Sequence, residues 1–266
     1  MAMARNALQT LGFATRGVNA GSLAQALPAC AVVVAAGPRT PFGDDDAQAL
    51  RGWTAAGGKT LLLLEPDTRH GLDALLADFG IARPPGALAD PGSHYRNDPG
   101  SPAVSDYTRH KMTRGLPLSF FPGAAGLEPA GDGLPPGVVV TPLAQTSNQA
   151  HLPGQPAMRY TLMALATRNA QAASADGAAH PVLLVAGDSD FATNRHFATL
   201  GNGALFTSAV TLLAGQDALL TIRPRHYEGR RVELTNRQMR TVFWTSTVAL
   251  PLLALMTGLL LWWRRR

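Results

Sequence analysis

The chain has 266 residues, a formal net charge of +5, one cysteine, 27 Gly and 20 Pro. Nine arginines and two glutamates fall at or after Ile222, and removing that +7 leaves residues 1–221 at −2. A nucleic-acid groove needs its cations on the folded domain, so that class of partner is excluded. One cysteine also excludes a disulfide framework and a Cys-based zinc site within the chain.

In chain order, residues 1–13 lack the apolar core of a secretory signal. Ala31–Ala36 is a short apolar run closed by Gly37-Pro38, the pattern of a strand buried on both faces. Cys30 lies in the same run and reads as a buried, inert thiol. Asp44-Asp45-Asp46 opens a helix predicted through Ala56, where acidic side chains suit the helix dipole, and Gly57-Gly58 ends it. Thr60–Leu64 is a second buried strand, and Gly71–Phe79 a short helix with Leu72, Leu75, Leu76 and Phe79 on one face. Residues 82–135 are rich in Pro and Gly and read as loops with a short strand at Leu118–Phe121. Strands are expected at Val138–Thr141 and Tyr160–Thr167, separated by the polar, turn-rich Gln145–Pro156. Asn169–His180 reads as a mobile loop of small residues. A strand at Pro181–Ala186, a helix at Asn202–Leu213 capped by Gly215, and a last strand at Leu219–Ile222 follow. The alternation predicts an α/β domain over residues 1–222, with a three-layer, doubly wound, mostly parallel sheet.

A basic segment, 223–240, leads into 241–263, which holds no charged residue. That length suffices to span a bilayer. Trp244 near one end and Trp262-Trp263 at the other fit the headgroup levels, and Arg264–Arg266 form a tail. Thr235 and Gln238 have the spacing of a capping box. Arginines flank both ends, so charge alone nearly balances the two orientations. Read literally, the chain is tail-anchored with a cytosolic domain; the other reading adds an upstream membrane segment.

Gly187-Asp188-Ser189-Asp190 follows a buried strand, the place where open α/β sheets collect ligands. Asp188 and Asp190 have two readings: a cation or acid–base pair, or caps of a turn. Glu65, at the end of the Thr60–Leu64 strand, could face the same crevice. The seven His have no helical metal spacing, and Gly57-Gly58-Lys59-Thr60 precedes a strand, the wrong side for a phosphate loop.

Val33-Val34-Ala35-Ala36-Gly37-Pro38, the acidic helix start, and Gly57-Gly58-Lys59-Thr60 running through four leucines to Glu65-Pro66 resemble the core of the GldG family. Asp188-Ser189-Asp190-Phe191-Ala192-Thr193-Asn194 resembles its late signature. The ending is similar too: Leu-Ala-Gly, Ile222-Arg223-Pro224, an Arg-rich stretch, one membrane helix and terminal Arg. The resemblance implies an auxiliary component of an ABC-type transport system of the gliding-motility kind. Its implied features are an extracytoplasmic glutamine-amidotransferase-like domain beside permease and ATPase subunits, in a bacterial inner membrane with the C-terminus in the cytoplasm. Members begin with a membrane helix and another domain, so this chain is expected to be a truncated or split member. Amidotransferase chemistry is not carried over, because Cys30 does not sit at a strand-to-helix elbow. The expected function is non-enzymatic and free of cofactor and metal. Asp188, Asp190, Asn194 and Glu65 are the candidate binding residues for a small molecule, glycan or partner. Two other readings are a membrane-bound, metal-assisted hydrolase using Asp188 and Asp190, and an envelope glycan-binding scaffold.

Overall fold

The computed structural model describes residues 1–130, 134–169, 179–221 and 235–265. Its centre is a five-stranded sheet built around the apolar runs. The strands are β1 (Val33–Ala36), β2 (Thr60–Leu63), β8 (Val138–Gln145), β9 (Thr161–Asn169) and β10 (Ala179–Ala186), in the order β1-β2-β10-β9-β8. β2 pairs in parallel with β1 and β10, while β9 pairs antiparallel with β10 and β8. Four strands therefore share one direction and β9 opposes them. The sheet is mixed and mostly parallel, and β9 is the departure from the doubly wound pattern.

The leucines of β2 show why the sheet is a middle layer. Leu61 and Leu63 join one apolar cluster, and Leu62 and Leu64 the other. Alternate side chains of a strand point to opposite faces, so a run that is apolar throughout needs cover on both. One face is covered by α1 (Ala2–Thr10) and α5 (Asn202–Leu213), which bring Ala4, Leu8, Leu205, Phe206 and Ala209. The other is covered by α2 (Leu23–Ala26), α3 (Asp44–Ala55) and α4 (Asp73–Ala77), which bring Leu23, Leu50, Leu75 and Leu76. The Asn202–Leu213 helix has the predicted bounds, and Gly215 follows it in the left-handed region.

Several expectations are corrected. β1 is an edge strand rather than one buried on both faces, and Val34 is exposed. Cys30 lies outside it and is half-buried, its thiol 3.2 Å from the Ala26 carbonyl. Residues 82–135 hold five short strands: β3 (Ile81–Ala82, at its margin), β4 (His94–Tyr95), β5 (Asp98–Val104), β6 (Ser119–Phe120) and β7 (Glu128–Pro129). β4, β5 and β6 form a second small sheet, and Val104, Met112, Leu116 and Phe121 from this region enter the main core. Pro and Gly hid these strands because they interrupt periodicity without preventing short extended pieces. The expected strand at Leu219–Ile222 is instead helical at α6 (Asp217–Thr221), and Ile222 lies outside the described residues. Of the Asn169–His180 loop, residues 170–178 lie outside them too, while Ala179 and His180 begin β10.

Among the described residues one helix, Asn236–Arg264, is long and apolar enough to cross a membrane, with mean hydropathy 1.7 over its best window. Its 29 residues span roughly 43 Å at 1.5 Å per residue, more than the hydrocarbon core requires. Its parts are α7 (Asn236–Phe243), a π turn (Trp244–Ala249) and α8 (Leu250–Arg264). The π turn lies just before Pro251, which has no N–H and whose ring would crowd a carbonyl one regular turn back. The hydroxyls of Thr241, Thr245, Ser246 and Thr257 donate to carbonyls of the preceding turn, so none needs water. Large side chains along the helix, such as Leu250 and Trp263, are exposed on the protein itself.

Candidate functional site

Three adjacent parallel strands end together, and their next residues meet. After β1 comes Gly37, whose N–H donates to Leu63 O at 2.8 Å. After β2, Leu64 N–H donates to Ala186 O at 2.9 Å, which carries Glu65 to the end of β10. After β10 comes Gly187-Asp188-Ser189. Ser189 donates both its N–H (3.0 Å) and its hydroxyl (2.5 Å) to Oε1 of Glu65. Gly37 closes the third side. At φ +54° it takes the left-handed conformation, and a Cβ there would overlap the Ser189 hydroxyl. Gly187 is as constrained, because a Cβ would run into the Ala125 carbonyl, whose own N–H donates to Gly187 O at 2.6 Å.

Asp188 is fully buried. Its two oxygens accept from the amides of Asp190 (2.8 Å) and Phe191 (3.1 Å), where the short 3₁₀ turn Asp190–Ala192 begins. Of its two readings, the geometry displays the turn cap. Burial pushes the Asp188 carboxyl well above the usual carboxylate range; the two amides oppose that shift, and the charges of Glu65 and Asp190 add to it. Asp190 itself is exposed. Asn194 is turned elsewhere, its Oδ1 accepting from the Met3 amide at 2.9 Å and so holding the first turn of α1. Sequence reasoning thus named two residues that meet here through Ser189, one on the rim, and one that serves the N-terminal helix. No group of three or more His, Cys, Asp or Glu among the described residues is placed to hold a metal ion.

The loop after β2 is clamped from behind. The guanidinium of Arg83 donates to the carbonyls of Glu65 (3.0 Å), Pro66 and Thr68 (3.1 Å). Beside it His70 is buried, with Nδ1 accepting from Leu72 N–H at 2.9 Å. Burial pulls the His70 imidazole below its ordinary pKa; Asp73 opposes this and Arg83 reinforces it.

Two grooves lie away from this cluster, and neither is lined by Glu65, Asp188, Asp190 or Asn194. One, of about 1000 Å³, follows the outer edge of β1. The other, of about 740 Å³, lies between α7 and the domain, bordered by Ser105, Asp106, Thr146, Arg159 and Arg237. Here the first turn of the long helix is fastened down. Thr235 and Gln238 form the expected capping box, the Asn236 amide lies 2.8 Å from His94 Nε2, and Gln238 donates to Ser105 Oγ at 3.3 Å.

No family model and no curated protein matches the sequence. Among solved structures the chain is similar to the mmIFT52 N-terminal domain, with TM-score 0.62 and 15% identity over 79% of this chain and 90% of that one. At that identity the likeness concerns the fold alone.

Sequence reasoning missed several residues. Asp90, fully buried, accepts from the amides of Gly92, Ser93 and Ser147 and from the Ser147 hydroxyl, so it joins two loops. Its Asp-Pro-Gly-Ser context is a turn signature that could have pointed to it. Arg83 and His70 carried no such signal, since their partners are carbonyls and amides.

Proposed function

We propose that this chain is a non-enzymatic, membrane-anchored auxiliary subunit of an ABC-type transport system, whose α/β domain binds a partner at the membrane surface. The observation that carries the reading is the fastening of the long helix to the domain through Thr235, Asn236 and Gln238. A domain tied at the first helical turn is held at a set position over the bilayer, as a docking subunit requires. The resemblance to the GldG family supplies the transporter. It also supplies the glutamine-amidotransferase-like variant of the fold, the bacterial inner membrane, the outward-facing domain and the cytoplasmic Arg264–Arg266.

The strand-end cluster gives little support to hydrolysis, because its inner carboxylates are engaged within the fold. Asp188 spends both oxygens on backbone amides, and Glu65 accepts two bonds from Ser189. A hydrolase needs a carboxylate free to meet water or metal, and of the pair only the exposed Asp190 is placed to offer one. The test is affinity purification of the full chain from its native membrane in mild detergent. Recovery of an ABC permease and ATPase in fixed ratio is the expected result. A chain that purifies alone after chemical cross-linking in the membrane contradicts the transporter role.

A further inference from the structure

The groove beside β1 is a slot where the sheet stops one strand short. Its floor is Val32–Ala36. One wall comes from the α1/α5 layer through Ala4, Arg5, Leu8, Phe206 and Val210, and the other from Leu23, Ala29–Ala31 and Phe42. Residues 13–20 run along it from the first helical layer to the second. That segment forms no backbone hydrogen bond with β1.

Hydrogen-bond accounting defines what is missing. Val33 and Gly37 donate to Lys59 and Leu63 beside them, at 2.8 Å each. By the alternation of a strand, Val34 and Ala36 turn their N–H and C=O groups the other way, into the slot. No acceptor or donor among the described residues meets them there. Free strand edges are normally covered, charged or shortened because they template pairing. Here both helical layers flank the edge but leave it unpaired.

We infer that the β1 edge receives an extended segment of a partner protein as a sixth strand, with apolar side chains at alternate positions and acidic residues among the others. A peptide backbone is the chemistry that matches alternating N–H and C=O groups at strand spacing. The apolar walls take the alternate side chains. The acidic residues follow from charge. Arg5 and Arg16 line the slot with no carboxylate within ion-pair distance among the described residues, although the Arg16 guanidinium donates to the Ala26 carbonyl at 3.0 Å. The slot's carboxylate, Asp46, is already engaged by the amides of Gly21 (2.6 Å) and Leu23 (3.3 Å). This pairing gives the partner-binding reading above, on which it rests, a surface and a partner chemistry.

The test uses the detergent-solubilised full chain and a displayed library of peptides of about nine residues, the length of a long strand. The library alternates apolar and polar positions and offers Asp or Glu at the polar ones. Enriched peptides are expected to bind the wild type and to slow hydrogen exchange at Val34 and Ala36. Val34→Pro removes an outward N–H without touching the pairing to β2, and is expected to weaken binding about tenfold or more. Replacing Arg5 and Arg16 together by Gln is expected to weaken acidic peptides more than neutral ones. The inference is overturned if no peptide is enriched, or if an enriched peptide leaves exchange at Val34 and Ala36 unchanged. Equal affinity for Val34→Pro also overturns it. Peptide pairing without transporter subunits in the purification would sink the transporter reading and leave this one standing.

Discussion

The strand-end cluster and the β1 edge are neighbours with opposite accounts. At the strand ends, the polar groups are numerous and satisfy one another: Ser189 with Glu65, Asp188 with two amides, Arg83 with three carbonyls. Along β1 the side chains are chemically bland, yet Val34 and Ala36 leave backbone groups without partners among the described residues. The conspicuous residues hold the fold together, and the plain ones leave an opening. Acidic motifs at strand ends therefore need to be tested for internal partners before they are assigned to a ligand.

Substitutions can break or sharpen that contrast, with unfolding followed in mild detergent. The largest effect belongs to Gly187→Ala, which sets a Cβ against the Ala125 carbonyl backbone, and its expected cost is about 3 kcal/mol. Gly37→Ala combines a left-handed conformation with overlap on Ser189, and should cost about 2 kcal/mol. Ser189→Ala leaves Glu65 with one donor in place of two and should cost about 1.5 kcal/mol. A loss near zero for Ser189→Ala would mean that the cluster is not held by its own hydrogen bonds.

Asp188 gives a test in pH. Its folded carboxyl titrates above the unfolded value, so the native state holds the proton more tightly. That contribution is complete below roughly pH 4, the unfolded value, and is lost as pH rises through the folded one. Stability of the wild type is expected to fall across that interval, and Asp188→Asn to flatten the slope. An unchanged slope would remove Asp188 as its source. The smallest effect is expected for Val34→Pro, within about 0.5 kcal/mol of wild type, because the lost N–H faces the slot. A large loss would show that β1 is paired after all.

Legibility followed local pattern. Asn202–Leu213 was readable residue for residue because a glycine and an apolar stripe mark its ends and face. The capping box and the 29-residue apolar helix were readable for the same reason. Asp98–Val104 was not, since a strand containing two Pro and one Gly has no period, and its place depends on pairing with β4 and β6. Leu219–Ile222 looked extended because four apolar or β-branched residues close a helix as readily as they make a strand. At the site, the sequence marked Glu65, Asp188 and Asp190, but the direction of their oxygens is a matter of what surrounds them.

By itself the sequence determined the membrane-length helix, its cap, the β2 and β10 runs that are buried on two faces, and the turns where glycine is required. Those are properties of a few adjacent residues, set by hydration and backbone sterics. Tertiary structure alone decided that β9 runs against its neighbours and that Asp188 is buried and caps a turn. It also decided that the first turn of the long apolar helix is fastened to the domain, and that the sheet ends at β1 with its backbone facing a slot. Each of these depends on which distant segments meet, and the free energy of such meetings is carried by packing and hydrogen bonds that no local stretch contains.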